Sequence, residues 1–441
     1  MSSSGATSAE AGGCAIAASS VRITEVDLGA TYVYDETDSN GPARGLAPLV
    51  ISPIPGGGSR LAWMGGDGQV HVTQLDANDH VVGASFALSA FDFQDLFADD
   101  RGGVLLVSRA AAAGGTGHCG SPSNLCGTPP NPPDPCFDMV AVRFDGTAET
   151  WATKLTDSSA TRPPYLTSPA DPNSVVFLWW YAHNGRIAFD GSNYAAYFGA
   201  AISVSQNGCV NVHQGDRMKI ISGTGALQSG GFDWGCSHSG YERVVWDPRA
   251  SRFVAVCKND LPAGSRSGRL AFAPQFTTNA IASVDLYYAD LGSLLVAGGT
   301  GYWLVTSDIR SGQTANSNGL ADIHLLHTIT GVADRDVILA SDPGLNDRAP
   351  HLASYGANRM LAAWETSKAP GDLTQQDTSR SLVLQALDST TGAAEGSPYS
   401  VAGVTASRYQ DFRAYPDGSV GYAAPGSSAT KAKILRILPC P

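Results

Sequence analysis

Charged residues are scarce in this chain. Lys, Arg, Asp and Glu make up only 15% of its 441 residues, acidic outnumber basic by 40 to 28, and the formal net charge is -12. No run of Lys or Arg exceeds two residues. The footprint needed to neutralise a phosphate backbone is missing, which excludes nucleic acid as a partner. No stretch approaches the roughly 20 apolar residues that cross a bilayer as a helix. Several catalytic signatures are absent as well: there is no Gly-x-Ser-x-Gly elbow and no His-Glu-x-x-His pair. Gly298-Gly299-Thr300-Gly301 is not followed by a helix, so it reads as a hairpin turn and not a phosphate loop. Asp342 to Asp347 contains Asp, Gly and Asn without EF-hand spacing, which leaves calcium there with composition alone behind it.

Turn residues are plentiful. Gly 50 and Pro 25 punctuate a chain that is long and poor in charge, a composition that points to β structure and not to disorder or coiled coil. A degenerate unit recurs, starting with an apolar run, a tight Gly, Asp or Asn turn, and a second apolar run. The first copy is Leu49 to Ile51, Pro55-Gly56-Gly57-Gly58, then Leu61 to Met64. Six more follow: Leu96 with Val104 to Val107, Ile187 with Tyr194 to Phe198, Val244 with Phe253 to Cys257, Leu294 with Tyr302 to Val305, His351 with Met360 to Trp364, and Phe412 with Val420 to Ala423. After each hairpin comes an alternating strand: Gln69 to Asp76, Met139 to Asp145, Arg217 to Ser222, Gly268 to Pro274, Asp322 to His327, Ser381 to Asp388 and Ala432 to Leu438. Period-2 alternation suits strands stacked between neighbouring sheets, with about four strands per blade. The expectation is an all-β, seven-bladed β-propeller.

The last blade lacks an outer strand, because only Pro439, Cys440 and Pro441 follow its third. The N-terminal run Val21 to Leu28 can supply one, closing the ring and removing exposed sheet edges. Residues 21–441 then form one propeller domain behind a flexible Ser/Gly/Ala-rich segment, 1–20. That segment has no basic n-region and no long apolar core, so it reads as a mature spacer whose leader has been removed or replaced.

Eight cysteines form an even set, which in an exported protein means disulfides and implies a periplasmic or extracellular home. Cys14 and Cys440 meet at the outer seam of the closing blade and are expected to pair. Cys119 and Cys126 share a Pro-rich loop, where a local staple between them is the plainer reading than a metal site with Cys136 and His118. Two of Cys209, Cys236 and Cys257 are expected to pair near blade four.

The hairpin that starts at His183-Asn184-Gly185-Arg186 and ends in Tyr197-Phe198 resembles sialidase-type repeats and the propeller polysaccharide lyases. In those families a His before the innermost strand faces the active-site side, a placement the resemblance implies for His183.

Strands lettered A to D from the axis outward put A-to-B and C-to-D turns on one face, and B-to-C and D-to-A loops on the other. The A-to-B turns are short, whereas the B-to-C loops at Arg109 to Asp138, Ser307 to Ala321 and Thr366 to Arg380 are long. Binding is expected on that loop-rich face, centred on blades three and four. His183 and Asn184 precede the inner strand of blade three, and His213, Gln214 and Asp216 close its B-to-C loop. Asp233, Trp234, Cys236, His238, Tyr241 and Arg243 lead into blade four, while Arg348 and His351 lead into blade six. Three chemistries compete. A divalent zinc or copper site draws on His183, His213, Asp216, Cys236 and His238, unless Cys236 is taken up in a disulfide. β-Elimination on an acidic polysaccharide uses His183, His238, Tyr241 and Arg243 as proton-transfer and carboxylate-neutralising groups. Non-catalytic binding of a carbohydrate or peptide-like ligand uses Asn184, Gln214, Asp233, Trp234, Arg348 and His351, with Trp179, Trp180 and Tyr181 as aromatic platforms. Strand-start His, Asp and Arg residues also satisfy backbone groups between blades, and Asp216 beside Arg217 could form an inter-blade ion pair. Binding is the favoured reading, with a lyase or metal enzyme, or an interaction module of a surface assembly, as alternatives.

Overall fold

In the computed structural model, the chain is described at residues 13–36, 47–110, 125–128, 137–156, 175–178, 184–237, 241–260, 267–274, 280–285, 289–310, 319–370 and 379–440. Its strands, from Val21 to Ile437, pair into seven antiparallel sheets. The inner strands are Val50–Pro53, Asp92–Ala98, Gly185–Phe189, Glu242–Asp247, Asp290–Val296, Asn346–Tyr355 and Arg413–Ala414. Each pairs with the strand that follows it, and that strand with the next, as the hairpin-plus-strand repeat requires. Successive inner strands also touch one another around the axis, from blade one through blade seven and back to blade one. This is a seven-bladed β-propeller.

Alternation within the strands explains the packing. The two faces of each sheet meet the sheets on either side, so strand interiors such as Val104–Val107 and Leu304–Val305 are fully buried. The core is accordingly divided into seven apolar clusters, one at each junction between neighbouring blades. Phe86 of blade one stacks on Phe144 of blade two at 4.7 Å between ring centroids, and Trp303 fills the junction of blades five and six.

Blade seven takes its outer strand from the N-terminus. Val21–Asp27 runs antiparallel to Lys431–Ile437, from Val21 opposite Ile437 to Asp27 opposite Lys431. Cys14 and Cys440 are disulfide-bonded beyond that seam. The segment read as a flexible spacer differs from that expectation over its second half: Cys14 and Ile16 are buried in the core between blades six and seven. The Cys14 N–H donates to Glu395 Oε2 at 2.9 Å, so the disulfide draws residues 13–20 onto the barrel wall. Asp79, buried in a turn of blade one, accepts from both Arg22 and Arg436 and joins the closing blade to the first.

Glu365, fully buried in blade six, accepts from Arg380 Nε at 2.7 Å and from the Ala406 N–H, while Arg380 also reaches Glu36. Burial pushes the Glu365 carboxyl up to about 7, in spite of Arg380. The unfolded chain releases this proton near 4.5 and the folded chain holds it until about 7, so the group's contribution to stability declines as pH rises between those values. Glu365→Gln is therefore expected to gain on wild type between pH 5 and pH 8, by at most on the order of 3 kcal/mol. Denaturant unfolding of both proteins at the two pH values measures it; a difference that is flat or shrinks with pH would contradict the assignment.

Candidate functional site

Among the described residues, the longest strands belong to blade three. Its two middle strands, Asn193–Gln206 and Cys209–Ser222, pair without interruption up to Gln206 opposite Cys209. Pairing with the inner strand ends at Phe198; beyond it 199–206 and 209–216 continue as a hairpin whose first strand is paired again at 201–203 by Val175–Phe177 and is buried at Ala200, Ala201 and Ile202. Asn207 and Gly208 make the turn with φ of 51° and 84°, the left-handed pair that a two-residue hairpin loop demands. His213, Gln214 and Asp216 were expected to close a loop and instead lie in strand, opposite Ile202, Ala201 and Gly199.

The hairpin is braced from blade two. Cys126 is disulfide-bonded to Cys209, its N–H donates to Val210 O at 2.7 Å, and Leu125 bridges Val210. The expected Cys119–Cys126 staple is thereby corrected: the blade-two loop crosses to its neighbour, and that crossing sets the partner. Cys119 and Cys136 lie outside the described residues.

At the base of the hairpin, Asp216 is buried and accepts from the Tyr197 hydroxyl and the Cys236 N–H, both at 2.6 Å. Burial and the neighbouring Asp216 hold the Tyr197 phenol well above its ordinary pKa. Asp216, Cys236 and Cys257 bring a carboxylate and two sulfurs together, but the sulfurs are bonded to each other, so Cys236 offers no thiolate to a metal. Trp234, expected as an exposed platform, is only 5% exposed and packs in the core between blades two and three. Its ring lies over Gly215, where an added Cβ would stand 2.5 Å from the indole. Gly215→Ala is expected to cost about 1–3 kcal/mol by overpacking. Thermal melting checks this, an unchanged midpoint being the contrary result.

Asp233 is exposed and pairs with Arg217 and with Lys219, the latter at 3.0 Å. Asn184 is buried, and its carbonyl accepts from the Gly199 N–H at 2.9 Å. His183, His238, Trp179, Trp180 and Tyr181 lie outside the described residues.

Tyr241, Arg243, Arg348 and His351 turn inward to the propeller axis. The Tyr241 hydroxyl donates to Asp290 Oδ1 at 2.8 Å, and burial, reinforced by Asp290, holds its pKa well above the ordinary phenol value. Arg348 forms a two-pronged pair with Asp290, at 3.0 and 3.2 Å, and Arg408 approaches the same carboxylate at 3.4 Å. Arg243 donates to the carbonyls of Gly292, Glu242, Leu291 and Arg408, crossing from blade four to the strand start of blade five. Burial, with Arg186 adding, brings its pKa down to about 10, so it stays charged at neutral pH. His351 is fully buried, neither ring nitrogen has a hydrogen-bond partner among the described residues, and burial brings it down to about 3. It is a neutral imidazole packed beside Phe412.

Residues that the sequence reading passed over complete this axial plug. Arg186 donates to Asp411 Oδ2 at 2.7 Å and to the Tyr409 carbonyl, and Arg413 pairs with Asp95, whose other oxygen accepts from the Ile187 N–H. Blades two, three, four and seven are thus tied across the axis. Burial pushes the Asp411 carboxyl up, but Arg186, Arg243 and Arg413 outweigh it and hold it well below the carboxylate range. A signal was available: Asp95, Arg186, Arg243, Asp290, Arg348 and Arg413 are charged residues on inner strands, all but Asp95 within the first three positions.

No protein-family profile matches the chain, and no curated protein sequence does. Solved structures similar to it include a puromycin-hydrolysing peptidase of Mycobacterium tuberculosis (12% identity, 90% of this chain and 52% of that one, TM-score 0.45). The Dos1 propeller is another (10% identity, 94% and 84%, TM-score 0.42), and an α-L-arabinanase of Penicillium chrysogenum a third (11% identity, 83% and 98%, TM-score 0.39). At that level none of them lends this chain a substrate.

Proposed function

We propose that this chain is an exported recognition propeller that binds a carbohydrate or peptide-like ligand on its loop-bearing face. The observation that carries the reading is the blade-three hairpin, whose strands run on beyond the inner strand and are tied to the neighbouring blade by a disulfide. Such a brace fixes a contact surface before a ligand arrives and lowers the ordering cost of binding. Three disulfides support an oxidising destination. Among the described residues, no helix is long and apolar enough to cross a membrane.

The state of the candidate catalytic groups favours binding over chemistry. A phenol that donates to a buried carboxylate and has a raised pKa is a poor base, which counts against Tyr241 in an elimination. Arg243 has four donors on backbone carbonyls, and Cys236 is lost to the metal reading through its disulfide.

Glycan and peptide arrays probed with wild type and with a Cys126→Ser, Cys209→Ser variant test the proposal. One array class is expected to bind wild type, and the variant at least tenfold more weakly, with the far-UV circular dichroism of the ring retained. Equal binding by the variant, or no binding to either array, would sink it; a stable protein partner in place of both ligands would point to an interaction module.

A further inference from the structure

The axial plug does not fill the channel. Beyond it lies a cavity of about 550 Å³ whose lining runs from the level of Arg243 and Asp411 to Pro55 and Pro416 at the short A-to-B turns. It therefore faces away from the loop-bearing end. Its size falls within the roughly 300–1,000 Å³ of small-molecule sites. Ile187, Val244, Leu294, Leu352 and Phe412 make most of the wall apolar, and its charged side chains are Arg186, Arg243, Arg413 and Asp411.

These guanidinium groups are not equally engaged. A guanidinium has five N–H donors. Arg243 uses four of them on carbonyls, and Arg186 uses three, on Asp411 and the carbonyls of Gly185 and Tyr409. Arg413 uses one, through Nη2 to Asp95; its Nε has no hydrogen-bond partner among the described residues, and its side chain is 22% exposed. Asp95 and Asp411 are the carboxylates that pair with these guanidinium groups, and Arg413 leaves more of its donors unused than Arg186 or Arg243.

We infer that the axial cavity binds a small molecule bearing one carboxylate on an apolar body, the carboxylate seated on Arg413 and the body against the inner strands of blades three to six. A planar carboxylate matches the donor fork of an arginine. The apolar wall gives water few partners and a hydrocarbon many.

The test uses hexanoate and benzoate as probes, with hexanamide and benzamide as neutral counterparts, in calorimetry and saturation-transfer NMR on the whole chain. Both acids are expected to bind wild type at least tenfold more tightly than their amides. Arg413→Gln should reduce the acids to the level of the amides. Should that variant fail to fold with Asp95 unpaired, Ala414→Trp decides: Ala414 lines the cavity and is exposed, so an indole there blocks the site without touching the plug. Failure of both acids to bind, equal binding of acid and amide, or binding that survives Ala414→Trp would each overturn the inference. The site lies at the other end of the axis from the hairpin, so none of these outcomes bears on the ligand of the loop face.

Discussion

Asp290→Ala is expected to destabilise the propeller by about 3–5 kcal/mol, because it strands a buried guanidinium. Arg348 is 2% exposed, and Asp290 accepts both of its donors as well as the Tyr241 hydroxyl, the Ser307 hydroxyl and the Ala349 N–H. Removing the carboxylate takes an acceptor from all of these at once, in a region with no bulk water to replace it. Asp290→Asn retains one oxygen and should cost less. Burial pushes the Asp290 carboxyl up, but Arg348 and Arg408 win and hold it well below its ordinary 3.8. The stabilisation from this depressed pKa is accordingly present above pH 3.8 and lost only as pH falls further. Denaturant unfolding at pH 7 and pH 5 should give the same loss for Asp290→Ala. A loss under 1 kcal/mol would show that the axial plug is not a structural tie.

The second large effect is expected at the seam. Cys14 and Cys440 are 426 residues apart in sequence, so their bond constrains the unfolded chain about as strongly as one disulfide can. Cys14→Ser with Cys440→Ser should cost about 3–5 kcal/mol. It should also loosen Val21–Asp27 from Lys431–Ile437 and expose the edge of blade seven, which templates pairing between chains. Faster proteolysis within residues 13–28 and concentration-dependent association should accompany the lost stability. A double variant as stable and as monodisperse as wild type would show that strand pairing alone closes the ring.

The ring was legible because its logic is local. Each hairpin announces itself by apolar runs around a Gly, Asp or Asn turn, each third strand by alternation, and the unpaired last blade by the run from Val21 to Leu28. Even the Cys14–Cys440 bond followed from where the two ends of a closed ring must lie. What could not be read depends on contacts between blades. Cys126 lies seven positions from Cys119 but reaches Cys209 because a loop crosses to the next blade. Arg413 and Asp95 are 318 residues apart, and Arg186 and Asp411 are 225 apart. No local pattern names such partners, although charges near the starts of inner strands mark several of the positions. The hairpin of blade three was a different kind of miss. Asn207-Gly208, between strands of period two, is among the strongest hairpin signals a sequence offers, and it outranks the polar residues that suggested a loop around His213 and Gln214. Trp234 misled because an aromatic beside Asp233 resembles a surface platform, whereas Gly215 opposite it marks the close approach of a buried ring.

The loop-bearing face is the proposed seat of the ligand. Hydrogen exchange, with and without the carbohydrate or peptide selected on the arrays, measures this directly. Protection is predicted across 199–216 and the segment leading into blade four at 233–237, with no change at the A-to-B turns near Pro55 and Pro416. Protection confined to those turns, with the hairpin unaffected, would contradict it.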